Sequence, residues 1–220
     1  METGEYIDGL TGHLLSLQDD LLEEEKSRND ICPSAGKETG RLLYILIRLI
    51  KPDQVLEIGT SVGYASIWMG LALRQTGGQL VTVEASERLA KEARQNIQRA
   101  GLDDVVEIIN GQAQDVVAHL EGQFGMIFQD GGSRCYPETA ELLAEKLEYG
   151  GLLVSDDVLF ALHAERAKPR EYMHEYNKKI FGQPELFSTL LETGNGLSLG
   201  IKIEDSGGNN SDKITGNNEY

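Results

Sequence analysis

This sequence predicts an α/β fold: a mostly parallel sheet with helices on both faces and a C-terminal antiparallel hairpin. Three observations carry that reading. Apolar runs near residues 54–58, 79–84, 104–109, 124–129 and 151–155 alternate with helix-like runs near 62–74, 86–100, 112–120 and 137–147. Apolar strands separated by helices build a parallel sheet covered on both faces. The first strand, ending in VLEI, empties into the glycine-punctuated turn GTSVG (59–63), at the sheet edge where such folds bind ligands. Beyond residue 160, a charged helix (about 164–180) precedes ELFSTLLET, a turn at Gly194-Asn195-Gly196, and LSLGIKIE. That turn joins two strand-like runs into a hairpin, expected to run antiparallel to the rest.

Ahead of the sheet, Ile7, Leu10, Leu14, Leu17, Leu21 and Leu22 fall on one face of residues 6–26, an amphipathic helix. The breakers of ICPSAGKETG (31–40) follow, and then the apolar helix RLLYILIRLI, which stops before Lys51-Pro52. At the far end, residues 205–220 are rich in Gly, Asn, Ser and charge and are expected to be disordered. The organisation expected is an N-terminal helix and linker at 1–35, acting as a lid or dimer element, one α/β domain at 36–204, and the tail. A chain of 220 residues suits one such domain with a full core.

A formal charge of −16 repels phosphate backbones and anionic lipid, which disfavours nucleic acid as a partner. Cys32 and Cys135 are too few for a disulfide framework or a zinc site. With no secretory signal and no apolar run of membrane-spanning length, the expected location is cytoplasmic.

Two acids and a glycine turn point to a nucleoside. Gly59 lets a ligand approach bare backbone, and Glu84, at the end of the next strand, can accept hydrogen bonds from both ribose hydroxyls. A dinucleotide fingerprint needs glycines where Ser61 and Tyr64 stand, so a nicotinamide oxidoreductase is disfavoured. The plainer alternative is a structural strand-to-helix turn. Asp130 ends the fourth strand and Asp156 and Asp157 the fifth, three carboxylates at one edge that would repel unless a cation sat among them. Hard oxygen donors suit Mg²⁺, with Mn²⁺ the second choice. The alternative for Asp156 or Asp157 is to cap the following turn.

From about residue 33 to 203 the chain resembles the cation-dependent O-methyltransferases, the family of catechol and caffeoyl-CoA O-methyltransferases, which have a class I, Rossmann-like fold and use S-adenosylmethionine (SAM). VLEIGTSVGYAS matches the family's motif I, implying that Glu57, Gly59, Ser61 and Tyr64 line the methionine and sulfonium side. GKETGR (36–41) resembles the segment lying over the methionine end, and Glu84 matches the ribose acid. NGQAQDVVAHL (110–120) resembles the adenine frame, implying contacts from Gly111, Ala113 and Gln114. FGMIFQDGGSRCY and SDDVLF align with the metal motifs, implying Asp130, which also borders the cofactor, Asp156 and Asp157 as ligands.

Two departures matter. The third ligand is usually Asn, and Ser133 stands where many members carry the Lys that takes the acceptor's proton. A serine is a poor base and Arg134 stays protonated. The cation's charge on the acceptor hydroxyl, or His163 as base, are the substitutes considered.

The expected function is SAM-dependent methyl transfer to a cation-held hydroxyl of a small catechol- or phenol-like acceptor. The N-terminal helix, the linker to Gly40 and residues 159–172 are expected to form the lid and acceptor pocket. A tRNA hydroxyuridine O-methyltransferase and a SAM-binding protein with reduced catalysis are the rivals. The resemblance also implies a homodimer.

Overall fold

The structure, a computed structural model, describes residues 16–204. Two helices open it, α1 (Ser16–Glu25) and α2 (Gly36–Ile50). The sheet and its crossovers then run β1 (Gln54–Ile58), α3 (Tyr64–Thr76), β2 (Gln79–Glu84), α4 (Glu87–Arg99), β3 (Val106–Asn110), α5 (Ala113–His119), β4 (Phe124–Gln129), α6 (Cys135–Lys146) and β5 (Leu147–Ser155). The short α7 (Phe160–His163), α8 (Ala167–Phe181), β6 (Leu186–Leu191) and β7 (Leu197–Lys202) complete it. Of the expected N-terminal amphipathic helix, residues 6–15 lie outside the described residues, as does the tail from 205.

The sheet has seven strands in the order β3-β2-β1-β4-β5-β7-β6. Strands β1 to β5 pair in parallel, and the hairpin is present, with one correction to its direction. Only β7 runs against the others. It inserts between β5 and β6, antiparallel to both, so β6 at the outer edge points the same way as the parallel strands. A second correction concerns β5, which starts at Leu147 rather than 151. Its Tyr149-Gly150-Gly151 stretch bulges out of register with β4, Phe124 facing Leu147 and Met126 facing Leu152, and so reads as a turn in the sequence.

Local chemistry sets the helix ends. Ser86 caps α4, its side chain accepting from the Leu89 N–H, and Lys51 closes α2 in the left-handed conformation just before Pro52. The two faces of the sheet are filled separately. Val55, Met126 and Val154 pack with α2 and α3 on one side, while Leu56, Ile58 and Ile127 pack with α6 and α8 on the other. Helix α2 lies so close to α3 that a Cβ at Gly40 would enter the Trp68 indole. This contact fixes the segment bordering the carboxyl edge of β1.

Candidate active site

The C-terminal edge of β1, β2 and β4 is held together by backbone. The Gly59 N–H donates to the Val83 carbonyl at 2.9 Å, and the Asp130 N–H to the Ile58 carbonyl at 2.8 Å. Gly59 has a φ of 94°, and an added Cβ would strike the Asp130 carbonyl and Gly131. A glycine is therefore required by backbone packing on that side, and Gly59 also lines the cleft. Past it, the Gly63 N–H closes the turn on the Thr60 carbonyl at 2.8 Å, and the buried Asn96 of α4 donates to the Val62 carbonyl at 2.9 Å.

Glu84 joins this turn to the next strand. One carboxylate oxygen accepts the Ser61 N–H and the other the Ser86 N–H, both at 2.8 Å. Ser61 is held with a φ of 49°, uncommon for a residue with a side chain. Below Glu84, the Asn110 amide and Gly111 N–H both reach the Glu84 carbonyl, drawing β3 in. The result is a cleft of about 650 Å³ walled on one side by Gly59, Glu84, Gly111, Ala113 and Gln114, and on the other by Gly131, Gly132, Ser133, Arg134, Cys135 and Glu138.

Four of the expected cofactor residues stand outside that wall, Glu57, Ser61, Tyr64 and Asp130. Glu57 follows Val55 onto the face under α3 and is completely buried, its Oε2 accepting from Ser66 and its Oε1 without a partner. Burial pushes its pKa up to about 7. Tyr64 opens α3 with its ring buried and its hydroxyl unpaired, and burial raises its pKa to about 12. Ser61 contributes its N–H to Glu84, while its own hydroxyl is buried without a partner.

The carboxylates gather at the tips of β4 and β5. Burial, then the charges of Asp156, Asp157 and Glu57, push Asp130 well above the usual carboxylate range. Burial and Asp157 raise Asp156 to about 7, against the N–H of Asp157, which bonds its Oδ1 at 2.8 Å. Asp157, at a φ of 58°, is also raised by burial, and its Oδ1 accepts from the Asn195 amide at 3.0 Å. Among the described residues no three His, Cys, Asp or Glu side chains stand as a ready metal-holding group. The expected trio is thus not closed as it stands. The donor chemistry nonetheless fits a divalent cation: three hard oxygen donors, all disfavoured as bare anions.

Two buried tyrosines underpin these tips. Tyr136 of α6 directs its hydroxyl at the Gln129 carbonyl (3.1 Å) and the Asp156 carbonyl (2.9 Å). Its ring meets Tyr176 of α8 edge-on, centroids 4.9 Å apart, and the Tyr176 hydroxyl bonds the Ser155 hydroxyl. Sequence reasoning passed over Tyr136; its place in the motif was the available signal, and its contacts are not.

Ser133 and Arg134 are on the cleft wall, Arg134 paired with Glu138 at 3.1 Å. Cys135 is also there, and burial raises its thiol to about 11, which leaves it a thiol rather than a nucleophile. His163 is exposed at the end of α7 and does not line the cleft. The α1–α2 linker passes near these carboxylates: its Cys32, although exposed at the surface, has its thiol raised by partial desolvation and then by the charges of Asp130, Asp157 and Glu84. Arg28 pairs with Asp30 (2.9 Å) and Glu92, and Arg88 with Asp30 (2.9 Å) and Glu92 (3.6 Å), which straps the linker to α4. Glu25 accepts from the Ser34 N–H at 3.0 Å and holds the other end.

Comparison with known proteins agrees with this layout. The family model described as O-methyltransferase matches residues 16–203. A catechol O-methyltransferase of Niastella koreensis is 35% identical over 162 residues, 70% of this chain and 71% of that protein. A caffeoyl-CoA O-methyltransferase of Eucalyptus gunnii is 26% identical, over 78% of this chain and 74% of its own. The human protein named transmembrane O-methyltransferase is 34% identical over 69% of this chain, but only 53% of its own length is covered. No helix among the described residues here is long and apolar enough to cross a membrane. Among solved structures, an O-methyltransferase from Bacillus cereus in complex with SAH superposes with a TM-score of 0.81 at 27% identity, over 90% of this chain and 96% of that one. TomG from Streptomyces achromogenes, in complex with SAM, gives 0.78 at 26% identity, over 90% and 94%. The chain belongs to the SAM-dependent O-methyltransferase family that includes the catechol and caffeoyl-CoA O-methyltransferases.

Proposed function

We propose that the chain methylates a hydroxyl of a small catechol- or phenol-like acceptor, with a divalent cation held by Asp130, Asp156 and Asp157. The observation that carries this reading is the pairing of a nucleoside-sized cleft at Glu84 with the carboxylates of Asp130 and Asp156, both raised chiefly by burial, at the tips of β4 and β5 on the same edge. When bound, SAM supplies an electrophilic methyl group and the cation a positive charge that lowers the acceptor's pKa.

The chain's own residues do the rest. Glu84 offers its carboxylate to the ribose, Ala113 and Gln114 border the adenine end, and Gly111 keeps that wall low. To hold the cation, Asp157 would give up its bond from the Asn195 amide. The acceptor oxygen would take the methyl group from SAM, which would leave as the neutral thioether SAH, and the hydroxyl proton would go to solvent. Ser133 does not take that proton, so positioning and charge supply the acceleration.

Methyl transfer from labelled SAM to catechol, with and without chelator, tests the reading. Transfer that chelator abolishes and Mg²⁺ restores supports it, and undiminished transfer in excess chelator refutes it. No structural observation favours a tRNA acceptor, and the charge of −16 counts against one.

A further inference from the structure

The strands β4 and β5 are paired up to Gln129 and Ser155, and one bond continues past the sheet: the Asp156 N–H donates to the Gln129 carbonyl at 3.0 Å. There the two chains part. Asp130 turns toward β1 through its bond to Ile58, and Asp156 turns toward Asp157 and the β6–β7 turn. Past that point no pairing between β4 and β5 fixes the separation of the two tips.

The Tyr136 hydroxyl stands there, 3.1 Å from the Gln129 carbonyl and 2.9 Å from that of Asp156. The first belongs to the residue before Asp130, the second to Asp156 itself. A phenol carries one proton, which these two carbonyls share. Among the described residues no other hydrogen bond reaches the Asp156 carbonyl, whereas Gln129 keeps the Asp156 N–H. The ring is 1% exposed and braced by Tyr176, so the hydroxyl has little freedom to leave.

We propose that Tyr136 is a positioning residue of the cation site: by bridging the Gln129 and Asp156 carbonyls it sets the separation of the Asp130 and Asp156 carboxylates without touching the cation. The inference rests on the cation reading above and extends it to a group outside the ligand set. Residues that orient metal ligands from behind change metal affinity by roughly 10–100-fold when altered. Tyr176 is the internal control. It is packed on the same ring, and its hydroxyl bonds Ser155 rather than either carbonyl.

The test is direct Mn²⁺ binding, read by the electron paramagnetic resonance of free Mn²⁺, on the whole chain at saturating SAH. Tyr136→Phe keeps the ring and its edge contact, and unchanged SAH affinity shows that it is folded. The expected result is an Mn²⁺ Kd raised by roughly 10-fold or more in Tyr136→Phe and changed less than about twofold in Tyr176→Phe. Equal weakening in both variants assigns the effect to α6–α8 packing and overturns the proposal, and so does Tyr136→Phe binding Mn²⁺ like wild type. Wild-type protein that binds no Mn²⁺ removes the cation reading and this inference with it, an outcome distinct from the other two.

Discussion

Glu84 and Ser61 share a hydrogen bond, N–H to Oε2 at 2.8 Å, across 23 residues of sequence. The carboxylate expected to hold the ribose is therefore also what holds the cofactor turn in shape. Glu84→Ala removes a doubly bonded carboxylate and should cost on the order of 2–3 kcal/mol of SAM affinity by calorimetry. Because the Ser61 and Ser86 N–H groups lose their acceptor too, the ligand-free variant should melt below wild type. A variant that binds SAM normally would take Glu84 out of the cofactor site.

The cation should stabilise the protein more at high pH. Asp156 is an acid raised from 3.8 to about 7, so the folded state holds a proton that the unfolded chain has released. This contribution favours folding at low pH and is lost as pH rises from about 4 to about 7, then stays level. Asp130 is raised in the same direction. Mg²⁺ should thus raise the melting midpoint clearly at pH 8 and little at pH 5, and Asp156→Ala should lose that difference. Equal shifts at both pH values would mean that the ion binds elsewhere.

His163 should prove dispensable. A general base typically contributes about 10²–10⁴-fold, and an exposed imidazole outside the cleft wall is poorly placed to do so. His163→Ala should keep kcat within about threefold, whereas a drop of 10²-fold or more would make it the base that Ser133 is not.

A homodimer remains expected, and the sheet edge offers a surface for it. Phe187 of β6 faces Ile201 of β7 across the strand pair, 66% and 38% exposed, so this face of the sheet edge is left open among the described residues. Light scattering at micromolar concentration should return twice the chain mass for wild type and one chain for Phe187→Asp. A wild-type monomer would remove the dimer.

The sheet was legible because its strands are buried on both faces and so read as apolar runs, and Glu84 and Asp130 were legible because each ends one. What escaped depends on partners far along the chain. Nothing near Asp157 announces Asn195, and nothing near Gly59 announces that the Asp130 carbonyl fills the space beside it. Glu57 sits one residue from a strand end in a motif that implies cofactor contact, yet the alternation of β1 turns it inward to Ser66. The reversed β7 was half legible: the turn predicted a hairpin, but not which of its strands would lie against β5.

The Arg28–Asp30–Arg88–Glu92 strap has a kinetic meaning. What fastens the linker is a set of partly exposed ion pairs, individually worth about 0–1 kcal/mol and weakened by salt. Where lifting of this linker limits product release, the residence time of SAH becomes a function of ionic strength. The same chain would then hold its spent cofactor longer in dilute buffer than in concentrated salt, with no change in the residues that touch it.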